Sequence, residues 1–227
     1  MILVLLGILL PQLGLAGPWP RGEGNQFLSA SIETEFENGI SDGEELFGTL
    51  YYERGIEHDL TLGFDGGTDP LGVDKAFGFV RWPVGDHDGP SRLALEFGFG
   101  AFDGLVAIRP ALTWGRGFSY AEMSGWMSID SRLVVQDTFD GVFENDFTLG
   151  LNSGPRSMVI LQLQTGQPFQ TRESVQSGQA DFGEFFAKIA PSYVYEFKAS
   201  RRIQLGLISG ITGTDEFKLK LGFWLDF

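Results

Sequence analysis

The sequence predicts an all-β fold: a closed antiparallel up-and-down transmembrane β-barrel of about twelve strands. Three observations carry that expectation. The final residues alternate with period two up to a terminal aromatic, with Phe217, Leu219, Leu221, Phe223, Leu225 and Phe227 on one face and Glu216, Lys218, Lys220, Gly222, Trp224 and Asp226 on the other. The same period recurs along the chain in short segments bounded by Gly, Asp, Asn and Pro. No internal stretch approaches the roughly twenty apolar residues of a membrane helix. A chain of this kind that enters a bilayer must cross it with strands, and only a closed barrel satisfies every backbone group there.

The first segment stands outside that pattern. Ile2 to Ala16 is almost wholly apolar, too short to span a bilayer, interrupted by Pro11, and ends in Gly14-Leu15-Ala16 before Gly17. Small residues at that end are what signal peptidase requires. Residues 1–16 therefore read as a Sec signal peptide, residues 17–26 as a short periplasmic segment and residues 27–227 as the barrel. No Lys or Arg precedes the apolar run, which leaves the α-amino group as the positive charge of the signal or places the true start further upstream. The roughly 210 residues left after cleavage suit one barrel domain.

Composition narrows the partners. Thirty-two Gly and twenty-one Phe belong to a chain rich in turns and aromatics, and the absence of Cys is compatible with export without reliance on disulfides. A formal net charge of −14 excludes nucleic acid, whose phosphates would be repelled. Much of the acid falls between the alternating segments, at Glu37, Asp42, Glu44 and Glu45, at Asp65, Asp69 and Asp74, and at Asp137, Asp140, Glu144 and Asp146. These read as solvated loops, with divalent cations beside lipopolysaccharide as the functional alternative.

In order, the first strand alternates Leu28, Ala30, Ile32, Thr34 and Phe36 with Ser29, Ser31, Glu33, Glu35 and Glu37. A loop with Asn38-Gly39 and Asp42-Gly43 leads to a second strand around 46–53, whose faces compete because Phe47 and Tyr51 rival Leu46 and Leu50. After the turn at Gly55 to His58, Leu60, Leu62 and Phe64 oppose Thr61, Gly63 and Asp65, which is hairpin spacing. A fourth strand covers 76–82. The fifth sets Leu93, Leu95, Phe97, Phe99 and Ala101 against Arg92, Glu96, Gly98 and Gly100, and the sixth sets Ile108, Leu112 and Trp114 against Arg109, Ala111 and Thr113. One phase then holds from Tyr120 to Gln136, which predicts a seventh strand that outreaches the membrane, turns at Asp140-Gly141 and returns through Phe147, Leu149 and Leu151. Val159, Leu161 and Leu163 make a ninth strand, followed by a surface loop from Thr165 to Ala180. A tenth runs from Phe185 to Phe197, an eleventh sets Ile203, Leu205 and Leu207 against Arg202, Gln204 and Gly206, and the terminal strand is the twelfth.

Alternation alone leaves the inside undecided, since a soluble lipocalin-like barrel has the same period with its apolar face inward. Three features favour an apolar face turned to lipid. Charges of both signs occupy mid-strand positions, aromatics at Trp82, Trp114, Tyr193 and Tyr195 suit interface girdles, and the terminal aromatic points outward. The lumen-lining candidates are then Glu33, Glu35, Arg92, Glu96, Arg109, Glu122, Arg132, Lys188, Arg202, Lys218 and Lys220. Barrel closure makes the first and last strands neighbours, so Glu33 and Glu35 are expected opposite Lys218, Lys220 or Arg202.

Motifs for chemistry are weak. Gly39-Ile40-Ser41-Asp42-Gly43 matches the Gly-x-Ser-x-Gly elbow, which needs a preceding strand, a following helix and a His base. With no helix to follow, chance in a Gly-rich chain is the better account. A lipid hydrolase with Ser and His on the barrel is the more serious enzymatic alternative, but His58 and His87 both fall in connections on the periplasmic side, away from lipopolysaccharide. Asp86-His87-Asp88-Gly89 carries part of a calcium-loop pattern, yet Val84 takes the first ligand position and Leu95 the twelfth. No catalytic residue, cofactor or metal is expected.

The terminal strand resembles the C-terminal signal of bacterial outer-membrane proteins. That resemblance implies that the barrel assembly machinery reads Leu221, Phe223, Leu225 and Phe227. The run Tyr51-Tyr52-Glu53-Arg54-Gly55-Ile56-Glu57-His58-Asp59-Leu60-Thr61-Leu62-Gly63 resembles a hairpin in a family of bacterial outer-membrane transporters labelled by similarity to a meta-pathway phenol-degradation protein. Trp19-Pro20 with Gly24 and Phe27, Arg109-Pro110, and Trp114-Gly115-Arg116-Gly117 are similar to that family as well. These motifs specify hairpins and not a ligand, so the resemblance implies fold and location. The expected function is a small channel or passive transporter for unidentified small solutes, a monomer in contact with outer-membrane lipids and lipopolysaccharide. The alternative is a structural or surface-interaction barrel plugged by its own ion pairs, because twelve strands lie between a filled eight-strand interior and an open sixteen-strand porin.

Overall fold

The computed structural model describes residues 17–35, 46–85, 89–120, 123–170 and 184–227. These form twelve strands in one closed antiparallel barrel. In chain order the strands are β1 (Gln26–Glu35), β2 (Leu46–Gly55), β3 (Thr61–Asp69), β4 (Gly72–Val84), β5 (Ser91–Phe102), β6 (Leu105–Tyr120), β7 (Met123–Gln136), β8 (Gly141–Gly154), β9 (Ser157–Phe169), β10 (Phe186–Lys198), β11 (Arg201–Thr212) and β12 (Phe217–Asp226). Each pairs with its neighbours in sequence, and β1 pairs with β12 to close the sheet. The seam runs from Phe27 opposite Asp226 to Glu35 opposite Lys218. It is extended by Gln26 and Phe227, whose backbones exchange two hydrogen bonds of 2.7 and 3.1 Å. The last residue is thus part of the closing ladder, and among the described residues no strand edge is left to pair with another chain.

The period-two pattern of the sequence sorts side chains cleanly. On β5, Ala94 and Glu96 are buried while Leu95, Phe97 and Phe99 are exposed; on β11, Gln204 is 4% exposed and its neighbour Leu205 is 51%. A polar interior inside an apolar exterior is the inverse of a soluble barrel. So broad an exposed apolar band is stable only against hydrocarbon. β1 begins and β12 ends at one rim, and the strand ends that flank 36–45 and 170–185 lie at the other, which is the extracellular rim in barrels of this kind. Trp82, Trp114, Tyr193 and Tyr195 all fall on the outward phase.

Three expectations change. Tyr120 ends β6 and β7 begins at Met123, so the long phase holds along β7 as far as Gln136 but its first residue belongs to β6; Ala121 and Glu122 lie outside the described residues. β9 continues to Phe169, opposite Gly141 of β8, so the residues from Thr165 to Phe169 are strand and not loop. Asp65, Asp74, Glu144 and Asp146 are strand residues. A lumen face tolerates charge as well as a loop does, so acidity alone does not mark a connection. Residues 1–16, 39–43 and 86–88, with the signal peptide, the Ser41 motif and His87, lie outside the described residues.

Not all inward residues are polar. Phe77, Ala107, Val134 and Val142 form a buried cluster joined by Phe102 towards the extracellular ends of β4 to β8. Trp126, Met158, Ile160 and Val194 form another towards the periplasmic rim, joined by Trp19 and Trp224. Inward glycines make room for these rings, since a Cβ at Gly150 would collide with the Trp126 indole and one at Gly63 with the Phe79 ring.

Candidate functional site

Between the two apolar clusters lies a belt of charge. Its backbone is a chain of seven residues that alternate in sign: Lys75, Asp65, Arg109, Glu96, Arg81, Glu53 and Arg21. Lys75 Nζ lies 3.1 Å from Asp65, Arg109 bridges Asp65 (2.5 Å) and Glu96 (3.3 Å), and Arg81 bridges Glu96 (2.7 Å) and Glu53 (2.5 Å). Arg21, from the segment ahead of β1, closes the chain on Glu53. Glu53 is fully buried, and its carboxylate also accepts a hydrogen bond from the Tyr51 hydroxyl at 2.5 Å. Arg81 donates to Tyr51 Oη at 3.0 Å and to the carbonyl of Gly17 at 2.9 Å.

Register explains why these residues meet. Arg81 stands opposite Glu96 across β4 and β5, Tyr51 opposite Asp65 across β2 and β3, and Gly98 opposite Arg109 across β5 and β6. Aromatic faces support the cations: Arg109 lies 4.5 Å from the Phe77 centroid and Arg81 5.2 Å from that of Phe79. Charges this buried are tolerated because each meets an opposite charge, and Arg81 and Glu53 add hydrogen bonds to Tyr51.

A second group occupies β7 and β8, where Arg132 pairs with Glu144 at 3.2 Å and with Asp146. Asp130 stands beside them on β7 and makes no salt bridge among the described residues. Across the lumen, Lys220 pairs with Glu33 at 2.9 Å. At the extracellular rim, Lys188 and Lys218 both converge on Glu216 in the connection before β12, Lys218 at 2.6 Å. Burial pushes the Glu216 carboxyl up, but the hydrogen bonds and charges of Lys188 and Lys218 outweigh it and hold the group down at about 2. Between the walls is a cavity of about 460 Å³, lined by most of these charges, though not by Arg21, Glu53, Glu216 or Lys218, together with Gln162, Gln164, Thr113, Thr148 and Thr165, and floored by Trp126 and Trp224.

Of the residues expected from sequence, Glu33, Glu96, Arg109, Arg132, Lys188 and Lys220 line this cavity. Glu35 stands opposite Lys218 in register, but the Lys218 ammonium turns to Glu216. Arg202 lies at the periplasmic rim, 3.2 Å from Glu196 and 2.5 Å from Asp226. Arg92 turns to the carbonyls of Gly89 and Ser91 and takes no part in the belt. Sequence reasoning missed Tyr51, Glu53, Asp65, Arg81 and Arg21. The signal for Glu53 was the hairpin itself, since pairing Gly55 with Thr61 sets Glu53 on the face of Gly63 and Asp65.

No known family profile matches the sequence, and no curated protein matches it. Solved structures do share the fold. A KdgM porin aligns with a TM-score of 0.62 at 8% identity, covering 88% of this chain and 99% of that one. An outer membrane channel from Pseudomonas putida F1 aligns with a TM-score of 0.61 at 13% identity, covering 95% and 100%. A NanC porin aligns with a TM-score of 0.59 at 10% identity, covering 88% and 98%. The likeness is one of fold: this chain is a barrel of the outer-membrane type.

Proposed function

We propose that the chain is an outer-membrane channel through which small polar solutes diffuse passively. The observation that carries this is the cavity of about 460 Å³ inside a closed barrel, with charges of both signs, amides and hydroxyls on its walls. Small-molecule sites typically occupy about 300–1,000 Å³. A solute that sheds water on entering such a lumen recovers hydrogen bonds from Gln162, Gln164 and Thr148, which no apolar pore would return. In this reading the signal peptide 1–16 is cleaved and the mature chain starts at Gly17. The barrel assembly machinery reads Leu221, Phe223, Leu225 and Phe227, and the monomer sits among outer-membrane lipids with its long loops towards lipopolysaccharide. The hairpin from Tyr51 to Gly63 supports the finer likeness to the transporters labelled by a meta-pathway phenol-degradation protein. This reading assigns no enzymatic role; His58 is exposed on the turn after β2, 4.0 Å from Glu57.

The alternating charge chain and the two apolar clusters support a second reading, a barrel shut by its own side chains. Single-channel recording of the refolded mature chain separates the two. Reproducible ion-selective steps are the expected result, and a bilayer that stays silent with correctly folded protein contradicts the channel.

A further inference from the structure

We propose that residues 17–25 form a tethered gate that closes the periplasmic mouth of the lumen and swings out to open it. The gate rests on the channel reading above. Gly17 and Pro18 are buried, although they lie ahead of the first strand. The arm they begin is held by side-chain contacts: the Gly17 carbonyl accepts from Arg81 at 2.9 Å, Arg21 pairs with Glu53 and lies 4.4 Å from the Phe27 ring centroid, and the Trp19 ring lies against Gly115 and the apolar cluster of Trp126, Met158, Ile160 and Val194. A Cβ at Gly115 would fall 2.6 Å from Trp19 and 2.8 Å from Pro18, so the wall is cut away where the arm docks.

The other end of the segment is stitched to the β2–β3 turn. Gly24 donates to the Gly55 carbonyl at 3.0 Å and Gly55 donates to that of Asn25 at 2.9 Å. Between arm and stitch, Gly22 and Gly24 hold φ of 72° and 83°, a region that glycine leaves and enters at little cost. The segment therefore has a fixed root, a glycine hinge and an arm bound by side chains and not by a strand ladder.

Charge makes departure of the arm inexpensive. Without Arg21 the wall keeps three cations, Lys75, Arg109 and Arg81, and three carboxylates, Asp65, Glu96 and Glu53, so no charge on it is stranded. Glu53 retains Arg81 and the Tyr51 hydroxyl. Arg21 itself keeps one buried guanidinium nitrogen without a hydrogen-bond partner among the described residues while docked, and it gains water when it leaves.

Planar-bilayer recording of the refolded chain beginning at Gly17 tests the gate. The comparison is with a chain lacking residues 17–24, with a Trp19→Ala/Arg21→Gln variant should the deletion fold poorly, and with a Trp19→Cys/Gly115→Cys pair joined by a short reducible cross-linker. The chain has no cysteine of its own to interfere. The intact chain should alternate between closed and open levels. Deletion or the double variant should remove the long closures and raise the mean current several-fold, and cross-linking should hold the closed level until reduced. Equal, non-zero currents in all forms would overturn the gate and leave the channel standing. Silence in every folded form would overturn the channel and the gate with it.

Discussion

Arg81 gathers Glu53, Glu96, Tyr51 and the Gly17 carbonyl around one guanidinium, from β2, β5 and the segment ahead of β1. Removing it breaks two buried ion pairs at once and leaves Glu53 to Arg21 and Glu96 to the longer contact of Arg109. Truncating one partner of a buried ion pair typically costs about 3–5 kcal/mol, so Arg81→Met should lose stability on that scale in urea titrations of the refolded barrel. At the extracellular rim, the Glu216 carboxyl titrates near 2 in the folded chain against an ordinary value of 4.5. A carboxyl lowered on folding contributes stability that is complete above 4.5 and is lost as pH falls from there towards 2. Glu216→Gln should flatten the stability profile across that window, measured by thermal unfolding at graded pH. Residues differed in how plainly the sequence marked them. The Glu33–Lys220 pair follows from closure and period two, both visible in the bare chain. Glu53 and Arg81 were hidden because β2 and β4 carry large aromatics on the lumen face, Tyr51 on one and Phe77 and Phe79 on the other, which blurs the usual polar-in signature.

Strands carry two separable requirements, an apolar outer face and an inner face that fits its neighbours. Leu205, half exposed in the middle of β11, should meet the bilayer core, and Leu205→Arg should cost about 2–4 kcal/mol as charges do at the membrane midplane. On the inner face of β8, Gly150 lies under the Trp126 ring, so Gly150→Val forces the indole aside and should cost about 1–3 kcal/mol by overpacking. Refolding titrations in phospholipid vesicles read both. The number and order of strands were legible because lipid imposes one rule on every outward position, which makes the alternation strict. Strand ends were less so: β9 continues to Phe169 through Thr165, Gly166 and Gln167, polar residues whose backbone pairs with β8 regardless of side chain. Only the register of the partner strand decides such an end, and no single segment contains it.

For the molecule as a whole, closure depends on β1 meeting β12, and Phe227 contributes backbone hydrogen bonds to Gln26 while its ring stays exposed. So little buried area can contribute at most a few kcal/mol. Deleting Phe227 should lower the amount of protein reaching the outer membrane, measured by fractionation, and leave refolding of the purified chain nearly unchanged. The clusters that narrow the lumen were not legible, since Met158, Ile160 and Val194 alternate with equally apolar lipid-facing residues and nothing in one strand says which set is inside. The central claim is that solutes pass through this lumen. Swelling of vesicles that contain the refolded barrel tests it most directly: small polar solutes such as arabinose should enter and swell the vesicles while a bulky trisaccharide does not. Vesicles with fully folded barrel that swell in none of these solutes would contradict it.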